Sequence, residues 1–458
     1  MRKMLEGLTE KIKKTDVDYL DLRLEEKSGV DFSIKKSEVE NIAETESVGY
    51  GIRALYKGRW GFTSANDISK IEEKIDEAIT FAKLAGNSKS QFYKVDPIND
   101  TISSPMKIDP TKIPLDEKVS LFLNYYKIIS NFDKRIQGSS SLRYKDQGVK
   151  KYFLNSQGSF IEQETRRIGY TVNVITREND NIQRGYTVNS SLKDERIIYG
   201  LEETIKETCK IALDLLGAKP IKAGTYTVVT NPELTGVFAH EAFGHLSEAD
   251  YLYKDKDMQK VMKLERSFGK PILNIVDDSA LKGIYGTYAY DDDGVPTQKT
   301  YLIKKGKLVG RLHSRETAGL MREQPTGNAR AISYRYMPIV RMTNTYIENG
   351  KTTFEDIIKD IKIGVYAVGA LGGQTNTDNF VFGSKYGYMI RDGKVAELVK
   401  DVRLSGNVFE TLKNIDMVGN DFELSSSLGG CGKGGQSPLP ISHGGPHIRI
   451  QNVVIGGK

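Results

Sequence analysis

The stretch GYGIRALYKGRWGFTSANDISKIEEKIDEAITFAKLAG, Gly49 to Gly86, reads as a strand, a turn, a second strand and an amphipathic helix ending at Gly86. A second stretch, GYTVNVITRENDNIQRGYTVNSSLKDERIIYGLEETIKETCKIALDLLGA from Gly169 to Ala218, repeats the order. It has RGYT where the first has WGFT, and LLGA where the first has LAGN. This is the pattern of an internal duplication. Each unit is preceded by a helical pattern, near Met4 to Lys14 and Leu115 to Asn131, and by alternating stretches such as YLDLRLEEK. Meandering strands with interspersed helices predict an α+β fold, with a largely antiparallel sheet and helices on one face.

The second long helix reads as ending at Gly217, its C-cap, before a new strand from Thr225. This places a domain boundary between residues 1–217 and 218–458. Past it come short β-rich runs such as KTYLIKKGKLVGRL and HIRIQNVVIGG, separated by glycine-containing turns. The expected C-terminal domain is mainly β, barrel-like or sandwich-like, with few helices.

At 458 residues the chain is long enough for two or three domains with full cores. Its 66 Lys+Arg and 60 Asp+Glu, a net +6, are interspersed, so no nucleic-acid footprint is expected. No apolar run approaches the length of a membrane span, and the start lacks a signal-peptide pattern. With only two cysteines, Cys209 and Cys431, the chain reads as a soluble cytoplasmic protein of a reducing compartment.

The chemistry is concentrated in GVFAHEAFGHLSEAD, Gly236 to Asp250. Asn231 reads as an N-cap, Pro232 as the first helical residue, and Leu234, Val237 and Phe238 as the apolar face. His240 and His245 are five apart, which on a straight helix separates them by roughly 140°. Two devices would bring them together, a single π turn or unwinding at Gly244. The bland alternative pairs Glu241 with His245 on one face and leaves His240 in the core.

A catalytic zinc needs a third protein ligand and an open fourth position. His313, in GRLHSRETAG, reads equally as an exposed strand-end residue or as a ligand candidate, and Cys209, at helical spacing among apolar neighbours, as a core residue. Cys431 lies in the glycine-rich SSLGGCGKGGQSPLP with Lys433 nearby to favour a thiolate. It is the first candidate, with His443 and His447 as rivals. Such a site points to metal-assisted hydrolysis with Glu241 as proton acceptor and donor, and a histidine-activated Cys431 nucleophile is the metal-free alternative.

Six blocks occur in order: HEAFGHLSEAD, YDDDGVPTQKTYLIKKGKLVG, TGNARAISYRYMPIVRMTNTYI, FVFGSKYGYMIRDGKV, LKNIDMVGND and CGKGGQSPLP. Together they resemble the TldD/PmbA family, also labelled modulator of DNA gyrase, and its TldD branch in particular. The match spans nearly everything from about residue 220 to the C-terminus and is looser before it. The resemblance implies a zinc metallopeptidase in which His240, His245 and Cys431 bind Zn²⁺ and Glu241 is the acid/base. It implies unfolded peptides or small peptide precursors as substrates. It also implies a PmbA-like (TldE) partner chain lacking the zinc motif, with a homodimer as the other arrangement, while the charge and hydropathy patterns point to no nucleic acid or membrane partner.

LGGQT and FGSKYG read as plain turns, with peptide-binding sheet edges as the other use. Arg330 and Tyr334 are candidates for oxyanion stabilisation or for purely structural roles. The competing functional class is a non-catalytic peptide-binding or regulatory protein whose structural zinc is closed by His443 or His447.

Overall fold

The alternation in YLDLRLEEK extends to a 17-residue strand, β1 (Tyr19–Lys35), in the computed structural model, which describes residues 1–86, 89–376, 378–426 and 428–456. The first unit comprises α1 (Arg2–Lys13), β1, β2 (Glu38–Tyr56), β3 (Arg59–Ala65) and α2 (Ile71–Leu84). After β4 (Asn99–Ile102) the order recurs as α3 (Leu115–Phe132), β5 (Ser141–Asn155), β6 (Phe160–Glu178), β7 (Asn181–Ser191) and α4 (Glu202–Gly217). The repeat seen in the sequence is thus a repeat of structure. The units join where β1 pairs antiparallel with β5, making one seven-stranded sheet.

The shared glycine of WGFT and RGYT has one role in both units. A Cβ on Gly61 of β3 would lie 2.1 Å from the Ala78 carbonyl of α2, and one on Gly185 of β7 would lie 2.2 Å from the Thr208 carbonyl of α4. Each helix therefore rests backbone to backbone on its strand, and only glycine leaves the room. Leu20, Leu22 and Leu24 of β1 share a core with α1 and α2, while Phe32 and Ile34 share one with α3 and α4. The charged alternates of β1 are buried on the opposite face. Asp21 and Asp293, from the C-terminal half, both pair with Arg53, at 2.5 and 2.8 Å.

Two helix ends differ from expectation by one or two residues. α2 stops at Leu84 rather than Gly86, because Ala85 is already extended, and α4 runs through Gly217 with Ala218 as its cap.

Beyond β8 (Lys219–Pro220) come β9 (Gly224–Thr230) and α5 (Pro232–Ala239). β8 and β9 belong to a ten-stranded sheet that ends at strand Gly372–Asn376, and a second sheet of six strands includes Ile275–Asp278, Asn344–Ile347 and Ser442–Gly445. Of the two expected forms, barrel-like or sandwich-like, the barrel does not form: both sheets stay open, and they share a hydrophobic core around α5. Phe238 of α5 meets Phe380 and Phe382 of the larger sheet edge-on, with ring centroids 5.7 and 6.1 Å apart. Among the described residues the terminal strand, Gly372–Asn376, pairs on one side only. No helix among the described residues is long and apolar enough to cross a membrane.

Candidate metal centre

α5 starts as its sequence dictates. The Asn231 side chain accepts a hydrogen bond from the Leu234 amide at 3.1 Å, and Pro232 occupies the first helical position. Its depth is set by Gly236, where a Cβ would lie 2.1 Å from the Gly444 nitrogen on the smaller sheet. At His240 the helix widens into one π turn, His240–Gly244, followed by a 3₁₀ turn, His245–Ser247. The added residue gives histidines five apart nearly the relation that four apart have on an α-helix. Their ring centroids lie 5.1 Å apart. Gly244 does not unwind; it keeps right-handed helical angles, and its missing Cβ makes room for the Met342 sulfur.

Cys431 reaches this turn from a short hairpin, Cys431–Lys433 paired with Gln436–Leu439. Its Sγ is 3.2 Å from His245 Nε2, and the three donor atoms of His240, His245 and Cys431 all lie within 4.8 Å of one another. Tetrahedral zinc with bonds of about 2.0–2.3 Å sets neighbouring donors roughly 3.3–3.7 Å apart, so the set fits such an ion with little adjustment. His240 is buried, and its Nδ1 has no hydrogen-bond partner among the described residues, so the protein alone leaves it unsatisfied. No fourth His, Cys, Asp or Glu among the described residues joins the cluster.

Burial by itself would push the Cys431 thiol up, but the charge and hydrogen bonds of His240 and His245 outweigh it and bring the thiol down to about 5. Burial would lower His245, yet its bonds to Cys431 and Glu248 raise it to about 10. The metal-free cluster is therefore a thiolate beside an imidazolium. Lys433, expected to favour the thiolate, instead gives its ammonium to Glu248, Asp250 and the Val340 carbonyl, at 3.0, 2.6 and 2.9 Å.

The cluster opens on a cavity of about 1370 Å³. Glu241, His245 and Cys431 line it, with Tyr251 to Met258 contributing one wall and Gly373 to Thr375 another. LGGQT is accordingly an edge strand facing the cavity rather than a plain turn, pairing on one side with Asn379–Gly383.

Residues 20–82 match the PmbA/TldA metallopeptidase domain 1, residues 108–216 its central domain and residues 223–457 its C-terminal domain. The chain belongs to the PmbA/TldD family of metallopeptidases. It is 40% identical over 444 residues to a metalloprotease of Synechocystis sp., covering 97% of this chain and 96% of that protein. It is 28% identical over 417 residues to a zinc metalloprotease TldD homolog of Saccharolobus solfataricus, covering 89% and 90%. Two solved structures share the fold: a candidate modulator of a DNA gyrase from Thermotoga maritima (TM-score 0.81, 21% identity, covering 99% and 100%) and TldE from Thermococcus kodakarensis (TM-score 0.80, 20% identity, covering 100% of each). The chain is thus an enzyme, a metallopeptidase, which sets aside the non-catalytic alternative.

The other candidates of this metallopeptidase lie elsewhere. His313 is not exposed; it is buried, with Nδ1 3.1 Å from Thr317 Oγ1 and Nε2 3.1 Å from Glu323. His447 bonds Tyr366 and Asp421, at 2.8 and 2.5 Å. His443 is half-buried, and desolvation by the surrounding protein pushes its imidazole down to about 3, with the neighbouring charges of His240 and Lys385 adding to the effect. Neither joins the three donors. Cys209 lies in the core of the N-terminal sheet, where burial pushes its thiol up to about 12.

The Arg330 guanidinium is committed to the Met342 and Pro440 carbonyls, at 2.6 and 2.7 Å, and Tyr334 packs where a Cβ on Gly49 would be. Neither lines the cavity. FGSKYG is a turn whose Lys385 pairs with Glu233 at 2.9 Å. The residue the sequence reading missed is Glu248, fully buried, with Oε2 3.0 Å from His245 Nδ1. Its signal was present in the spacing: three positions past His245 is the same side of a helical turn.

Proposed function

We propose that the chain is a zinc-dependent peptidase that hydrolyses unfolded or extended peptides, with His240, His245 and Cys431 as the metal ligands and Glu241 as the acid/base. The observation that carries this is a three-donor cluster of zinc-compatible chemistry, open on a large cavity that Glu241 also lines. When bound there, zinc acidifies water and polarises a carbonyl. Glu241 takes the proton from the attacking water and passes it to the leaving nitrogen as the C–N bond breaks.

The edge of Gly372–Asn376 that is unpaired among the described residues supports an extended substrate, because a peptide lying in the cavity can add to it as a further strand through main-chain hydrogen bonds. Such binding reads backbone rather than side chains and excludes folded proteins. The fold shared with TldE favours a TldE-like partner chain over a homodimer, and we place the enzyme in the cytoplasm.

A fluorogenic peptide without stable structure tests the proposal. Native protein should cleave it, a chelator should stop cleavage, and Glu241→Ala should retain its metal while losing about 10²–10⁴-fold in rate. Undiminished cleavage by that variant would refute the role of Glu241.

A further inference from the structure

Glu248 is a carboxylate with no exposed surface, and one oxygen, Oε2, serves two partners. It is 3.0 Å from His245 Nδ1 and 3.0 Å from Lys433 Nζ, while Oε1 is buried with no hydrogen-bond partner among the described residues. The backbone here is fixed on both sides: the Ala249 amide donates to the Leu312 carbonyl at 3.0 Å, and the Leu312 amide to the Ser247 carbonyl at 2.9 Å. Lys433 sits two residues beyond Cys431 in the same strand, has a side chain only 4% exposed, and also bonds Asp250 and the Val340 carbonyl, at 2.6 and 2.9 Å. Its three N–H donors are therefore all used.

We propose that Glu248 is a positioning residue for the metal ligand His245, and that Lys433 ties it to the strand carrying Cys431. This rests on the assignment of His245 and Cys431 as ligands. By accepting from Nδ1–H, Glu248 fixes the His245 tautomer, leaves Nε2 free towards Cys431 Sγ at 3.2 Å, and makes the ring a better donor. The Lys433 ammonium offsets the cost of burying the carboxylate. It also holds together two segments 183 residues apart in the chain, from Asp250 to Lys433, so that the third ligand meets the histidine turn. No other carboxylate of the described residues is hydrogen-bonded to His245, so the position has no substitute.

The test measures zinc affinity by competition with a chromogenic chelator, and the visible spectrum after cobalt(II) substitution, for the native chain, Glu248→Gln, Glu248→Leu and Lys433→Met, each checked for folding by circular dichroism. Glutamine keeps an oxygen at the Oε2 position without the charge, so Glu248→Gln should bind zinc less than about tenfold more weakly. Glu248→Leu removes the acceptor and should lose roughly 10–100-fold with a changed cobalt spectrum. Lys433→Met should speed zinc release by a comparable factor. Native affinity and an unchanged spectrum in both Glu248→Leu and Lys433→Met overturn the inference while leaving the ligand assignment intact. Absence of zinc binding by the native chain overturns the ligand assignment itself. If Glu248→Leu does not fold, equal zinc release from Lys433→Met and native protein is sufficient to overturn the inference.

Discussion

The metal-free cluster should betray itself through the reactivity of Cys431. An ordinary thiol, with a pKa near 8.5, is about 0.3% thiolate at pH 6 and roughly a quarter thiolate at pH 8, so its alkylation rate rises about 80-fold over that interval. Cys431, brought down to about 5 by His240 and His245, is already about nine-tenths thiolate at pH 6, and its rate should rise by only about a tenth. Thiolate nucleophilicity falls with pKa by a Brønsted slope of about 0.4–0.5, which over about 3.5 units costs roughly 25–60-fold in intrinsic rate. The absolute rate at pH 8 therefore decides nothing, and the slope decides everything. The assay treats chelator-stripped protein with iodoacetamide between pH 6 and 8 and quantifies the peptides containing Cys431 and Cys209 by mass spectrometry. A flat profile at Cys431, silence at the buried Cys209 and protection of Cys431 by one equivalent of zinc are expected. A rate at Cys431 that climbs tenfold per pH unit would refute the thiolate–imidazolium description.

Zinc should compete with protons for the same cluster. His245 is raised to about 10 and must lose its proton to bind metal, so affinity should increase at least about tenfold per pH unit from 6 to 8; a flat binding isotherm series would contradict this. His443→Asn and His447→Asn should each keep native zinc stoichiometry, because neither side chain reaches the donor cluster; loss of metal in either would reopen the ligand set. Gly236→Ala puts a Cβ 2.1 Å from the Gly444 nitrogen in a helix held between two sheets. It should cost about 1–3 kcal/mol and lower the melting temperature by several degrees, and an unchanged melting curve would show that α5 can shift freely.

Much of this was legible in the sequence because it was local. Alternation marked the long strands, repeated WGFT and RGYT marked equivalent close contacts of strand and helix, and Asn231–Pro232 marked the start of α5. The five-residue spacing of His240 and His245 forced a choice between a π turn and unwinding, and the fold adopts the π turn. Features that depend on distant partners were not legible. Whether the C-terminal strands form a barrel or a sandwich depends on which edges pair, and both sheets stay open. His313 looked exposed because its partner Glu323 is ten residues away, and Lys433 looked like a thiolate partner because Glu248 is distant in sequence. Arg330 and Tyr334 carried the right chemistry for oxyanion binding, but neither lines the cavity beside the donor cluster, and the Arg330 guanidinium bonds the Met342 and Pro440 carbonyls.

Central to the proposed function is that His240 and His245, at the two ends of the π turn, and Cys431 on a hairpin hold a single zinc. Metal content, measured by mass spectrometry on native protein and Cys431→Ser purified side by side without chelators, tests it most directly. About one zinc per chain in the native protein, largely lost in the variant, is the expected result; full zinc retention by Cys431→Ser, or no zinc in native protein supplied with the ion, would contradict it.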